Sequence, residues 1–220
     1  MNTPEELKKI YDRRFSSTAE YRNRVWKILC ADYFSRYIPI DSAVLDLGCG
    51  YGEFINNISA LEKHGMDLNP ATKQYLQPSI HFHEQDCSAA WPLPSGSLDC
   101  VFTSNFFEHL PNKSSLSKTL EQAFKSLKRG GKLIAMGPNI RFLTAEYWDF
   151  YDHHVILTEK SLAEALEIAG FQILENHAQF LPYSLVNTKP VPDFFIKLYL
   201  QWKLVWKWKG KQFLLIAQKP

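Results

Sequence analysis

Three aspartates and a glycine cluster stand at intervals suited to binding a nucleoside that carries an amino acid. Asp46 comes just before Gly48-Cys49-Gly50-Tyr51-Gly52. Glycines in such a turn let the backbone take positive φ and approach a ligand closely. A carboxylate beside them repels a pyrophosphate but can hold a cationic amino-acid moiety, directly or through water. Asp67 follows about twenty positions later, where a carboxylate can accept both hydroxyls of a ribose. Asp86, next to Cys87, is placed where an adenine edge would lie. A nicotinamide dehydrogenase also uses a glycine turn, but Glu53 replaces its last glycine here and Asp46 would face its phosphates.

A second group is Tyr147-Trp148-Asp149-Phe150-Tyr151-Asp152-His153-His154, which sets aromatic rings around two imidazoles flanked by acids. Histidine titrates near working pH and a carboxylate partner fixes its tautomer, so His153 or His154 is the candidate general base. Tyr147, Trp148, Phe150 and Tyr151 suggest an aromatic-walled acceptor pocket that suits sugar rings or flat aromatics. No third ligand is evident near the two histidines, so no metal is expected.

These residues need a scaffold that brings distant segments to one edge. Residues 43–47 form a short apolar run that stops at the glycines, as a buried parallel strand feeding a helix does. Residues 62–66, 80–83, 98–103, 132–137, 171–178 and 211–218 read as further strands, with Asp99 serving structure. Helix-compatible segments alternate with them. The clearest covers residues 115–128, with Leu116, Leu120, Ala123, Phe124 and Leu127 on one face and Gly130-Gly131 as its stop. Another starts at Thr158 as N-cap and runs to Gly170. Residues 4–15 and 18–37 predict two opening helices, the second ended by Pro39. Such alternation implies an α/β fold, a mainly parallel sheet with helices on both faces, whose ligands lie beyond the carboxyl ends of the strands.

The ordered segments VLDLGCGYGEF, GMDLNP, EQDCSAAWPLPSGSLDCVFTSNFFEHL and LKRGGKLIAMGPN resemble the motif set of class I S-adenosylmethionine (SAM)-dependent methyltransferases over roughly residues 40 to 180. The resemblance implies a Rossmann-like seven-stranded sheet of order 3-2-1-4-5-7-6 with the last strand antiparallel. It also implies SAM as cofactor and S-adenosylhomocysteine as product. By the same likeness, Gly48, Cys49 and Gly50 line the methionine part of SAM, Asp67 and Leu68 the ribose, and Asp86 and Cys87 the adenine. Asn105 would face the cofactor, and His109 matches a position whose role is often structural. His154 and Thr158 resemble the HxxxT start of a late helix in small-molecule and glycan-modifying members. Thr103-Ser104-Asn105-Phe106 stands where members that methylate amide or adenine nitrogens carry Asn/Asp-Pro-Pro-Tyr, which favours an oxygen nucleophile. The acceptor this implies is a small molecule, namely a sugar, a lipid-linked saccharide or another secondary metabolite. A non-catalytic SAM-binding scaffold of the same fold is the alternative.

A net charge of +2 over 220 residues leaves no field of the kind a nucleic-acid binder carries. Four cysteines without a CxxC pair, and a polar opening segment, fit a cytoplasmic protein. One domain spanning residues 1–220 is expected, with residues 1–40 as a helical cap in which Tyr11, Tyr21, Arg22 and Arg24 either close over the cofactor, as opening helices do in related enzymes, or form solvated helix faces. Residues 192–208 form an amphipathic insert, rich in Trp, Phe and Lys, before the last strand. Drawn as one helix, the insert puts Phe194, Phe195, Leu198, Tyr199, Trp202, Val205 and Trp206 on one face. That face suits peripheral membrane contact, a dimer interface, a lid, or burial against the domain.

Overall fold

The computed structural model describes residues 19–143, 145–183 and 190–220. The expected helix over residues 4–15, with Tyr11, lies outside them. Seven strands form one sheet in the order β3-β2-β1-β4-β5-β7-β6. In chain order they are β1 (Ala43–Leu47), β2 (Glu62–Asp67), β3 (His81–Glu84), β4 (Leu98–Ser104), β5 (Leu127–Pro138), β6 (Gln172–His177) and β7 (Gln212–Gln218). β1 pairs in parallel with β2 and β4, while β7 runs antiparallel to both β5 and β6. The expected order and the one reversed strand are both observed.

Side chains alternate across this sheet with the period of two that pleating imposes. Leu45 and Leu47 of β1, Val101 of β4 and Leu133 of β5 enter one apolar layer. Val44, Cys100, Phe102 and Ile134 enter the other. The first layer is covered by helices α3 (Lys113–Ser126) and α4 (Glu159–Ile168). The second is covered by α1 (Ala19–Asp32), α2 (Glu53–Asn57), α5 (Asp193–Gln201) and α6 (Lys203–Lys209). Both faces of β1 are therefore buried along its whole length. Asp46 shares the phase of Val44, which turns it toward α1 and α2. Asp99 accepts the Ala43 N–H at 2.8 Å and pairs with Lys128, a structural role.

Thr158 caps α4 through a reciprocal capping box with Ser161. Three other details differ from expectation. α3 starts at an Asn112 cap and ends at Ser126, because buried Leu127 turns extended and pairs with Leu98 at the start of β5. Gly130-Gly131 thus lie inside a strand and do not stop the helix. The second opening helix ends at Asp32, and a short 3-10 turn, Phe34–Arg36, takes over before Pro39.

The insert is two helices, broken at Trp202 (φ −102°, ψ 82°). In one continuous helix Trp206 would sit roughly 240° around the axis from Leu200. The break lets both enter the core, and the Trp206 indole N–H donates to the Tyr199 carbonyl at 2.7 Å. Ile196 and Tyr199 pack inward with them, while Phe194, Trp202, Leu204 and Trp208 stay exposed. Trp206→Ala should therefore cost about 3–5 kcal/mol in urea unfolding. Trp208→Ala, at a side chain 88% exposed, should stay within about 0.5 kcal/mol of wild type.

Candidate functional site

At the carboxyl end of β1 the chain turns sharply through three glycines of positive φ, Gly48, Gly50 and Gly52. The Gly48 and Cys49 N–H groups donate to the Met66 carbonyl at 2.8 and 3.1 Å, tying the loop to β2. Gly48 has no room for a side chain: at φ +71° an added Cβ would lie 2.3 Å from the Phe106 ring. Asp67, ending β2, accepts the Gly50 N–H at 2.8 Å on one carboxylate oxygen and the Asn69 N–H at 2.9 Å on the other. It holds the loop's shape and, with about four acceptor positions on a carboxylate, keeps capacity for a ligand hydroxyl.

The loop forms one wall of a cavity of about 520 Å³. Of the nine residues expected at the cofactor, Asp46, Gly48, Cys49, Gly50 and Asn105 line it, whereas Asp67, Leu68, Asp86 and Cys87 do not. Asp86 makes a local turn, accepting the Ser88 N–H and hydroxyl, each at 2.8 Å. Cys87 is buried, its thiol accepting from the Thr119 hydroxyl. Burial pushes the Asp46 carboxyl well above the usual carboxylate range, and Glu53 adds to this against the Ile55 N–H. Glu53 is itself paired with Arg22 of α1. Asn105 sits in the left-handed region (φ 49°), where asparagine is tolerated. Its amide donates to the Ser104 hydroxyl, while its buried Oδ1 has no acceptor bond.

The neighbouring wall carries Glu108, His109, Asp152 and His153. His109 Nδ1 lies 3.2 Å from an Asp152 carboxylate oxygen and 3.1 Å from the Asp152 carbonyl. His153 Nδ1 lies 2.9 Å from the Tyr147 carbonyl, and Phe150 stacks on its ring. Burial lowers the His109 pKa, but Asp152 and Glu108 outweigh it and the net shift is upward. Burial pushes Glu108 up to about 7, against the pull of His109. His154 bonds through its backbone N–H to the Glu108 carbonyl and exposes its ring outside the cavity.

The aromatic wall expected from residues 147–151 does not form. Of its four residues only Phe150 lines the cavity, since Tyr147 turns into the core with its hydroxyl on the Val155 carbonyl, while Trp148 and Tyr151 face solvent. Aromatic cover comes from Tyr21 and Trp26 of α1 and from Phe195 and Tyr199 of α5. Arg24, expected over the cofactor, bonds the Val191 carbonyl and Asp193 and so ties the two roof helices together.

A family model for a methyltransferase domain matches residues 18–176, well over half of the chain. The chain belongs to the class I SAM-dependent methyltransferases. An uncharacterized protein of Methanocaldococcus jannaschii is 32% identical over 187 residues, covering 80% of this chain and 77% of that protein. A probable SAM-dependent methyltransferase of Mycolicibacterium smegmatis is 28% identical over 137 residues, 59% of this chain and 52% of the relative. The fold is similar to that of a SAM-dependent methyltransferase from Archaeoglobus fulgidus, with a TM-score of 0.68, 20% identity, and coverage of 96% of this chain and 98% of that one.

The cavity of this methyltransferase suits the family's cofactor. SAM brings an ammonium and a sulfonium, and the walls offer a buried carboxyl at Asp46, the acceptor at Asn105 Oδ1 and the glycine loop at Gly48 and Gly50. The His109–Asp152 pair was missed from sequence because its members stand 43 positions apart. So was Gln212, buried and cavity-lining with an unpartnered Oε1; its only signal is a polar residue opening a strand that is apolar from Phe213 to Ala217.

A carboxyl whose folded pKa is raised lowers stability as pH climbs above its unfolded value, near 3.9. Asp46→Asn should therefore raise the Tm of the ligand-free protein at pH 7 by roughly 2–4 °C per kcal/mol recovered. The gain should shrink toward about pH 3, below the unfolded value, where both states are protonated, and SAM affinity should fall at least tenfold. Thermal unfolding at the two pH values and a SAM titration check this.

Proposed function

We propose that this methyltransferase transfers the methyl group of SAM to an oxygen of a small ring-bearing acceptor, a sugar, a lipid-linked saccharide or another secondary metabolite. The observation that carries the reading is an imidazole and carboxylate wall, His109 with Asp152 and His153 beside Glu108, in the same cavity as the glycine loop. A hydroxyl must lose a proton as it attacks, whereas a neutral amine attacks without prior deprotonation, so a wall of proton acceptors suits oxygen.

When bound, SAM supplies an electrophilic methyl on a positively charged sulfur. In this reading Asp46 holds its ammonium end and Asp67 its ribose. Leu68 flanks the ribose beside Asp67, Asp86 and Cys87 form the flank toward the adenine, and Asn105 faces the sulfur side. His109, oriented by Asp152, and His153, oriented by the Tyr147 carbonyl, stand ready to take the acceptor's proton. His154, with its ring outside the cavity, has no part in this. Tyr21 and Phe195 exclude water from above. Exposed Trp202, Leu204 and Trp208 among the lysines of α6 favour an acceptor presented at a lipid surface.

The test is a screen with methyl-labelled SAM against sugars, catechols and amines in solution and lipid-linked saccharides in vesicles, with products read by mass spectrometry. Methyl transfer to oxygen is expected, and His153→Ala should lower kcat by about 10²–10⁴ while SAM affinity stays within about twofold. Transfer only to amines, or full activity in the histidine variant, would overturn the reading.

A further inference from the structure

Glu108 and His109 come from the 3-10 turn Phe107–His109 after β4, and His153 from the segment between β5 and α4. The fold brings one ligand atom from each to within 4.8 Å of the others. We infer that Glu108, His109 and His153 form a binding site for a divalent first-row cation in the cavity wall.

Three features carry this beyond proximity. Each histidine has an acceptor at Nδ1: His109 meets the carboxylate and carbonyl of Asp152 at 3.2 and 3.1 Å, and His153 meets the Tyr147 carbonyl at 2.9 Å. Donation from Nδ1 selects the tautomer whose lone pair is on Nε2, the arrangement that stands behind metal-bound histidines. The cavity also gathers carboxyl groups: Asp46, Glu53, Glu108 and Asp152 line it against the single guanidinium of Arg22 among the described residues. Finally, the cluster opens into the cavity, so three protein ligands would leave positions for an exogenous oxygen, as in catalytic rather than structural sites.

Two imidazoles and a carboxylate without thiolate suit Zn²⁺, Mn²⁺, Co²⁺ or Fe²⁺. Bonds of about 2.0–2.2 Å bring tetrahedral ligand atoms to roughly 3.3 Å apart, so loading the site draws the three side chains together by up to about 1.5 Å. Metal binding stands independently of the proposed reaction. Only its consequence, an acceptor oxygen taken up on the cation, rests on that reading. Coordination and proton acceptance by the same imidazoles exclude one another, so metal content decides which form of the site operates.

The experiment titrates chelator-treated full-length protein with Zn²⁺ by calorimetry, and separately with SAM. One Zn²⁺ per chain is expected, bound at least tenfold more weakly by Glu108→Gln and His153→Ala and about 10–100-fold more weakly by Asp152→Asn, whose role is to orient His109. Proton NMR of the Co²⁺-loaded wild type needs no variant to fold: two exchangeable, hyperfine-shifted Nδ1–H signals are expected. Absence of Zn²⁺ binding, binding indifferent to the variants, or fewer than two shifted signals would overturn the proposal. SAM binding without Zn²⁺ binding would sink this inference alone, and the reverse would sink the cofactor assignment alone.

Discussion

A carboxylate at the end of a strand buried on both faces can be kept only if something compensates for its lost hydration, and Asp46 is in that position. Its chain neighbours Leu45 and Leu47 point into the opposite apolar layer, so the pleat fixes its direction toward α1 and α2. There the nearest charge influence among the described residues is Glu53, another acid, which itself pairs with Arg22. The empty protein thus carries a raised carboxyl that a cationic ligand would return to its charged form. The same pocket that lowers stability gains affinity for a positive partner.

The rest of the molecule serves that point of charge. Parallel pairing of β1 with β2 and β4 brings Asp67 and Asn105 to the same edge of the sheet, one shaping the glycine loop and the other presenting an unpartnered acceptor. The chain reversal that puts β7 between β5 and β6 carries Gln212 to the cavity and sends α5 across its top. Roof helices α1 and α5 are joined by Arg24–Asp193 and Lys197–Asp32, pairs exposed enough to be worth little individually. Weak pairs of this kind suit a roof that must admit an acceptor.

Legibility of the sequence followed the range of the interactions. β1, α4 and the glycine loop could be read locally, since an apolar run, a Thr158 cap and a Gly-x-Gly-x-Gly turn each act within a few residues. The sheet order came from the resemblance of the whole motif series. What failed depended on distant partners: Leu127 leaves the helix because Leu98 pairs with it, and the insert breaks at Trp202 because the core takes both Leu200 and Trp206. The aromatic stretch showed the same limit, as its rings scatter between core and solvent while Asp152 and His153 alone join Phe150 at the cavity. Glu108 and His109 carried a local family signal. Their meeting with His153 is a product of the loop after β5, which no local rule foretells.

The most direct test of the account is a crystal structure of the protein grown with S-adenosylhomocysteine. The ligand's ammonium is expected at Asp46, its amino-acid end along Gly48–Gly50 and its sulfur on the side of Asn105 and His109. A ligand bound away from the glycine loop, or one that leaves Asp46 facing only apolar groups, would contradict it.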